Sequence, residues 1–221
     1  MKDIKAIRAL NLLQQYIELG EHEHQDFKYL ISDARKIARS ISAFANNDGG
    51  RLIIGVKDNG TIAGVRSEED IYMIEQAAVT YCRPEVEIDF SAIKAGRGTI
   101  VFIATIPRAT SRPVQVVESD GTLQAYYRVA DENIVAHPLM VDTWRYQALN
   151  TGTVISTTQA EVDILTYLRG LSHEAPATNH QIAIACHLSQ ATTDAALVRL
   201  ASLSLIQFVY HNHKFMIALP D

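Results

Sequence analysis

The chain has 221 residues, 48% hydrophobic and 20% charged, with a net charge of −5 at neutral pH, which fits one large or two small globular domains with a real core. Its longest apolar runs, Leu52–Val56 and Thr99–Ile106, are strand-sized and far short of the roughly 20 residues a membrane helix needs, and Met1–Leu10 mixes charge into its apolar residues as a signal peptide does not; a cytoplasmic protein with no membrane partner is expected. The acidic balance weighs against phosphate binding by the surface as a whole, so any such function has to come from local charge.

Residues 3–19 carry Ile4, Ile7, Leu10, Leu13 and Ile17 at helical spacing, with Gly20 as a stop. Residues 21–30 are short, polar and partly alternating, which predicts a strand. Asp33–Asn46 reads as a helix: Ile37, Ile41 and Phe44 share a stripe with Ala34, Ala38 and Ala45, while Arg35 and Arg39 lie together elsewhere on its surface. Asn47-Asp48-Gly49-Gly50 is a turn, Arg51–Lys57 a buried-type strand, and Asp58-Asn59-Gly60 a hairpin turn into a returning strand, residues 61–65. Ser67 is placed to cap a helix running to about Tyr81. Strands are expected at 84–93 and 98–107 around Gly96-Arg97-Gly98, and at 114–117 and 125–129 around Ser119-Asp120-Gly121; a closing helix follows at 138–149. Cys82 and Cys186 lie far apart and read as buried thiols, not a disulfide or metal site.

The Thr/Ser/Gly-rich tract 150–158 is the expected boundary between domains 1–150 and 151–221. Beyond it, helices at 159–171, 179–187 (capped by Thr178) and 190–204 (capped by Ser189) precede a hairpin, 206–210 and 214–219, around His211-Asn212-His213. Three helices and a hairpin is the winged helix-turn-helix order. In that arrangement Gln190, Thr192 and Thr193 stand at the end of the third helix that enters a major groove, and Lys214 lies on the wing. The segment carries three Lys or Arg against five Asp or Glu, so dimerisation or partner binding through the same fold stays open beside DNA reading.

The run from Ile41 to Gly60, ISAFANNDGGRLIIGVKDNG, resembles the signature of the Schlafen AlbA-type domain, with Glu21, Asp26-Phe27-Lys28, Gly64-Val65 and Tyr127-Arg128-Val129 as further family positions. The resemblance covers about residues 10–145. It implies an α+β fold: a mixed-sheet AlbA-like N-terminal domain, here followed by the small winged-helix domain. It implies a DNA-binding, transcription-related regulator, with DNA favoured over RNA, working as a homodimer that recreates by symmetry the family's paired lobes. In animal Schlafen relatives the positions matching Glu21, Asp26 and Asp58 form a metal-dependent RNase site. A carboxylate cluster can hold Mg²⁺ or Mn²⁺ to activate water, although Asp26 is one methylene shorter than the family's Glu. No cofactor is required otherwise. A protein-interaction adaptor is the third reading.

The residues support phosphate binding locally. Residues 28–57 hold Lys28, Arg35, Lys36, Arg39, Arg51 and Lys57 against only Asp33 and Asp48. Of these, Lys28, Arg35, Lys36, Arg39 and Arg51 are expected to contact nucleic acid, without sequence preference and with strong salt dependence. His22 and His24 flank Glu23 and read as a solvated strand face. Asn46 and Asn47 are expected to bond free backbone groups where the helix ends, and Gly49 and Gly50 to permit the sharp turn that follows.

Overall fold

The computed structural model describes residues 4, 6–65, 67, 69–96, 98–150, 156–171 and 176–220. The chain divides into two compact units, Met1–Ala136 and His137–Asp221. Among the described residues no helix is long and apolar enough to cross a membrane.

The first unit runs β1 (Ala6–Ile7), α1 (Leu10–Leu19), β2 (Gln25–Lys28), α2 (Ala34–Asn46), β3 (Gly50–Ile54), α3 (Glu69–Thr80), β4 (Cys82–Arg83), β5 (Asp89–Lys94), β6 (Ile100–Ile106), β7 (Gln115–Val117), β8 (Leu123–Val129) and β9 (Glu132–Val135). A five-stranded sheet has the order β1-β5-β6-β3-β2, and a four-stranded sheet the order β4-β7-β8-β9. The first is mixed: β1 and β2 run parallel to β5 and β3, while β3-β6 and β5-β6 are antiparallel. This is the α+β, mixed-sheet architecture that the sequence implies.

Alternation along β3 sends its side chains to two faces. Leu52 and Ile54 join a core with Ile37, Ile41 and Phe44 of α2 and Val114, Val116 and Tyr126 of the second sheet. Ile53 and Phe27 turn the other way, toward Leu13 of α1. Helix α2 therefore meets both sheets, and nine of its thirteen residues are buried. Its stripe pattern anticipates one buried face. The second is polar: Ser42 and Asn46 are fully buried against β7 and β8.

Several boundaries differ from expectation. The helix predicted from residue 3 starts at Leu10, because Ala6 and Ile7 pair with Ala92 and Ile93 instead. The return strand at 61–65 is reduced to one bridge, Val56–Ile62, closed by Lys57 N–H donating to Thr61 O. The strand predicted from Pro84 begins only at Asp89; proline has no N–H for a ladder. Strand β9 is an addition to the expected elements. It pairs with β8 and places Asn133 opposite Arg128. Ser67 Oγ accepts from Glu69 N–H at 3.2 Å as predicted. The centre of the Gly96-Arg97-Gly98 turn lies outside the described residues.

The second unit runs α4 (Pro138–Leu149), α5 (Gln159–Gly170), α6 (Asn179–Ala185), α7 (Gln190–Ser202) and the antiparallel hairpin β10 (Gln207–His211) and β11 (Lys214–Ala218). The division falls before α4, not in the tract 150–158, part of which lies outside the described residues. The physical reason is that α4 buries Leu139 in one core with Ile164, Leu168, Leu197 and Leu200. Thr178 and Ser189 cap α6 and α7 as expected, accepting from Gln181 and Thr192 N–H at 3.2 and 3.1 Å.

His137 caps α4 through Nδ1, which accepts from Leu139 N–H at 3.2 Å, and its ring stacks on Phe208 at 6.2 Å. Burial holds its pKa below the ordinary value, against a smaller opposing pull from Asp194. A depressed histidine is neutral in the folded state, so its contribution is complete above the unfolded value near 6.5. That contribution is lost as pH falls toward the folded value. Urea midpoints taken at about pH 7.5 and about pH 5.5 should therefore differ in the wild type, and the difference should shrink in His137→Asn, which keeps a capping acceptor but does not titrate.

Candidate nucleic-acid interface

The chain leaves α2 at Asn46 and enters β3 at Gly50 through a bend whose geometry only glycine fits. Gly49 has φ +79°, and a Cβ there would stand 2.8 Å from the carbonyl oxygen of Ile106. A Cβ on Gly50 would overlap the Phe44 ring. The asparagines before the bend act on strands, not on the helix end as expected. Asn46 Nδ2 donates to the carbonyls of Val114 and Tyr126, both at 2.9 Å, and its Oδ1 accepts from Val114 N–H at 2.8 Å. Asn47 exchanges both of its amide bonds with the backbone of Arg128.

Around this bend three segments gather basic side chains. Arg108 Nη1 pairs with Asp48 Oδ1 at 2.8 Å, both groups exposed. Arg112 Nη1 donates to Asn46 O at 2.9 Å, and burial together with Arg108 lowers its pKa. His24 Nδ1 lies 3.0 Å from Gly49 O, and His24 O accepts from Arg51 N–H at 2.9 Å. The pKa of His22 is lowered first by burial, then by His24, Arg51 and Arg128. Thus His22 and His24 border the bend and are part-buried, in place of the expected solvated strand face. Arg108 and Arg112, which bracket the loop after β6, are absent from the sequence-based candidates; the only local signal is two arginines in a short polar loop, and the diglycine turn they meet lies far away along the chain.

The cationic ridge predicted on α2 does not form. Arg39 makes a bidentate pair with Glu118, Nε to Oε1 at 3.0 Å and Nη2 to Oε2 at 2.6 Å, while Tyr126 Oη donates to the same carboxylate at 2.6 Å. The pair raises the Arg39 pKa and lowers that of Glu118; burial and then Glu118 push Tyr126 up to about 12. Arg35 lies 4.7 Å over the Tyr81 ring. Lys28 Nζ pairs with Asp26 at 2.6 Å. Arg51 belongs to the opposite face of the sheet from Leu52, over the Tyr16 ring at 4.2 Å. Lys36 is exposed. These cations are therefore dispersed over two faces, and Arg39 and Lys28 are neutralised by acids, contrary to expectation.

Of the three candidate carboxylates, the structure brings two together. Glu21 Oε1 accepts from Phe27 N–H at 2.8 Å, and burial, then a hydrogen bond with Asp26, raises the Glu21 pKa. Asp26 is buried, with Lys28 on one oxygen and Arg128 Nη2 3.7 Å from the other. Asp58 sits exposed on the turn after Val56. Among the described residues no three His, Cys, Asp or Glu side chains converge closely enough to hold a metal ion. As placed, the set does not fit Mg²⁺ or Mn²⁺: two cations already compensate Asp26, and the third ligand stands apart.

Arg128 is 1% exposed and ties β8 to β2. Its Nη1 donates to Asn133 Oδ1 at 3.0 Å, Nη2 to Gln25 O at 3.3 Å and Nε to His22 O at 3.4 Å, while the guanidinium lies 5.0 Å from the Phe44 ring.

In the second unit, Thr193 is fully buried and donates to Ser189 O at 3.0 Å, so it cannot reach a base edge. Gln190 and Thr192 are exposed, though Gln190 donates to Asp194 at 2.8 Å and Thr192 shares a hydroxyl bond with Ser189. Arg199 is held by Glu161 at 3.2 Å. Lys214 is exposed beside His211 and His213 at the hairpin tip. Both cysteines are free thiols; burial pushes Cys82 up to about 12.

The family model described as Schlafen, AlbA_2 matches residues 21–137, more than half of the chain. No curated protein matches. The crystal structure of the DIP2311 protein from Corynebacterium diphtheriae is similar at 20% identity, with a TM-score of 0.41 over 68% of this chain. This chain spans 31% of that protein's length.

Proposed function

The chain belongs to the Schlafen AlbA_2 family, and from that premise we propose that it is a nucleic-acid-binding regulatory protein whose phosphate contacts surround the diglycine bend. The observation that carries this reading is that Arg108 and Arg112 bond to Asp48 and Asn46 at the diglycine bend and His24 meets Gly49 O, while Arg51, the next residue, lies over Tyr16 and acts on His22, all inside the matched residues. Arg108, exposed and paired with the equally exposed Asp48, can exchange that partner for a phosphate oxygen more readily than Arg39, which a bidentate pair with the shielded Glu118 holds. The proposed partner is DNA, contacted through its backbone and therefore without base preference at this surface. The second unit would add orientation. Within it, α5, α6, α7 and the hairpin follow the winged-helix order, with Gln190, Thr192 and Lys214 exposed for a groove. A cytoplasmic homodimer working in transcription completes the proposal.

The test is salt-titrated binding of labelled duplex DNA and of RNA to the full chain and to Arg51→Glu/Arg108→Glu. The double variant should lose about 100-fold in affinity at low salt and reduce the salt slope by about 2. Unchanged affinity and slope would overturn the assignment of the surface; tighter binding of RNA than DNA would overturn the choice of partner.

A second reading, a divalent-metal-dependent RNase, has one observation in its favour: the adjacency of Glu21 and Asp26. It requires Mn²⁺-dependent cleavage of tRNA that Asp58→Ala abolishes; equal cleavage by wild type and variant would exclude it.

A further inference from the structure

On α3, Tyr72, Glu75 and Val79 recur at i, i+3 and i+7, so they share one side of the helix. Tyr72 is 68% exposed and Val79 53%. Next to them, residues 85–88 run outside the ladders of either sheet and alternate strictly, with Glu85 and Glu87 exposed and Val86 and Ile88 buried. Between the two elements lies a cavity of about 470 Å³ lined by Glu75, Val79, Glu85, Val86, Glu87 and Ile88, with Ala78 beneath. The groove thus has an apolar floor and a rim of three glutamates. Residues 75–89 contain four acids and one cation, Arg83. That cation is turned onto the carbonyls of Val79 and Cys82, at 3.0 and 2.7 Å, closing the end of α3.

We propose that this groove docks a cationic, amphipathic peptide segment of a partner protein, its apolar side chains on Val79, Val86 and Ile88 and its Lys or Arg side chains on Glu75, Glu85 and Glu87. Charge complementarity selects this occupant. A phosphate chain is repelled by an all-acidic rim, so the nucleic-acid surface and this one are different surfaces. A single cation does not match either, since among the described residues no three acids converge on one point. An extended chain with spaced positive charges and apolar anchors between them matches both the rim and the floor. The exposed Tyr72 and Val79 supply the apolar contact area that such docking sites need.

The probe is a short, fluorescently labelled peptide of alternating lysine and leucine, which puts its leucines on one face when extended, titrated into the full chain. Three variants decide the outcome: Val79→Lys, Glu85→Lys/Glu87→Lys, and as a control Asp131→Lys/Glu132→Lys, an equal charge change at exposed residues where the turn after β8 enters β9. All the changed side chains are exposed, so folding should be retained. Expected is binding to wild type and to the control, with binding at least about tenfold weaker in the other two. No binding to wild type, or equal weakening in both charge-reversed pairs, would overturn the proposal.

Discussion

Replacing Arg128 by Met is expected to destabilise the first unit by about 3–5 kcal/mol, because it removes one partner of a buried charged network and leaves the others without compensation. The guanidinium is 1% exposed and donates to Asn133, Gln25 and His22 while facing Asp26. Met fills much of the volume, so packing against Phe44 survives and the loss isolates the polar contribution. Arg128→Lys should recover only part of it. An ammonium keeps the charge but cannot span an Asn side chain and two backbone carbonyls with one planar fork. The measurement is urea unfolding followed by two probes. Trp144, the one tryptophan, lies in the second unit, whereas tyrosine near-UV dichroism includes Tyr126 and Tyr127 of β8. The tyrosine transition should shift by more than the Trp144 transition. A Met variant as stable as wild type would show that the network holds no net energy.

The same network shows what local sequence carries and what it does not. Element order is legible almost throughout, because periodicity, capping residues and Gly-rich turns are properties of a few neighbouring residues. Ser67, Thr178 and Ser189 accept from the first-turn N–H groups that their chemistry predicts. The fate of a charged side chain depends on residues far along the chain. Glu118 lies 79 positions from Arg39, and nothing around Arg39 announces it. Lys28 is different: Asp26, two residues away on the same strand face, is visible as a partner in the sequence itself. Arg51 can also be placed from sequence. It shares strand parity with Ile53, so it has to leave the sheet on the face away from Leu52 and Ile54, and hence away from the α2 arginines.

Thr193 illustrates a signal present but misread. With Ala196, Leu197 and Leu200 it completes an i, i+3, i+4, i+7 stripe, all four buried. Counting threonine as polar breaks the stripe and leaves it among the base-contacting candidates. Arg108 and Arg112 are the converse. Their loop is ordinary in sequence, and they gain a role only because β6 runs antiparallel to β3, with Gly50 opposite Ile106, and returns the chain to the diglycine bend.

Asn46→Ala should cost about 3 kcal/mol or more, the second large loss expected in this unit, from the buried polar groups it leaves unpaired. The residue is fully buried and its carboxamide bridges β7 and β8 one step beyond their last paired residues, Gln115 and Ala125. Removing it leaves Val114 N–H and Tyr126 C=O without their side-chain partner, each such buried group costing about 1–3 kcal/mol. Ser42 Oγ still donates to Val114 O at 2.8 Å and accepts from Tyr126 N–H at 3.1 Å, so the junction is weakened, not abolished. Asn46→Asp should be worse than Asn46→Ala. It keeps the acceptor for Val114 N–H but sets a carboxylate against the carbonyls of Val114 and Tyr126, with desolvation added to repulsion. The Asp variant should therefore regain stability as pH falls and its carboxyl takes up a proton, the opposite of the histidine-linked trend at His137. Lys36→Ala, exposed on the same helix, should stay within about 0.5 kcal/mol of wild type. Chemical denaturation of the three variants across pH checks the order. A series in which Asn46→Asp is as stable as the wild type would mean that the amide protons of Asn46 contribute nothing, and that packing and the Ser42 bonds join α2 to the second sheet.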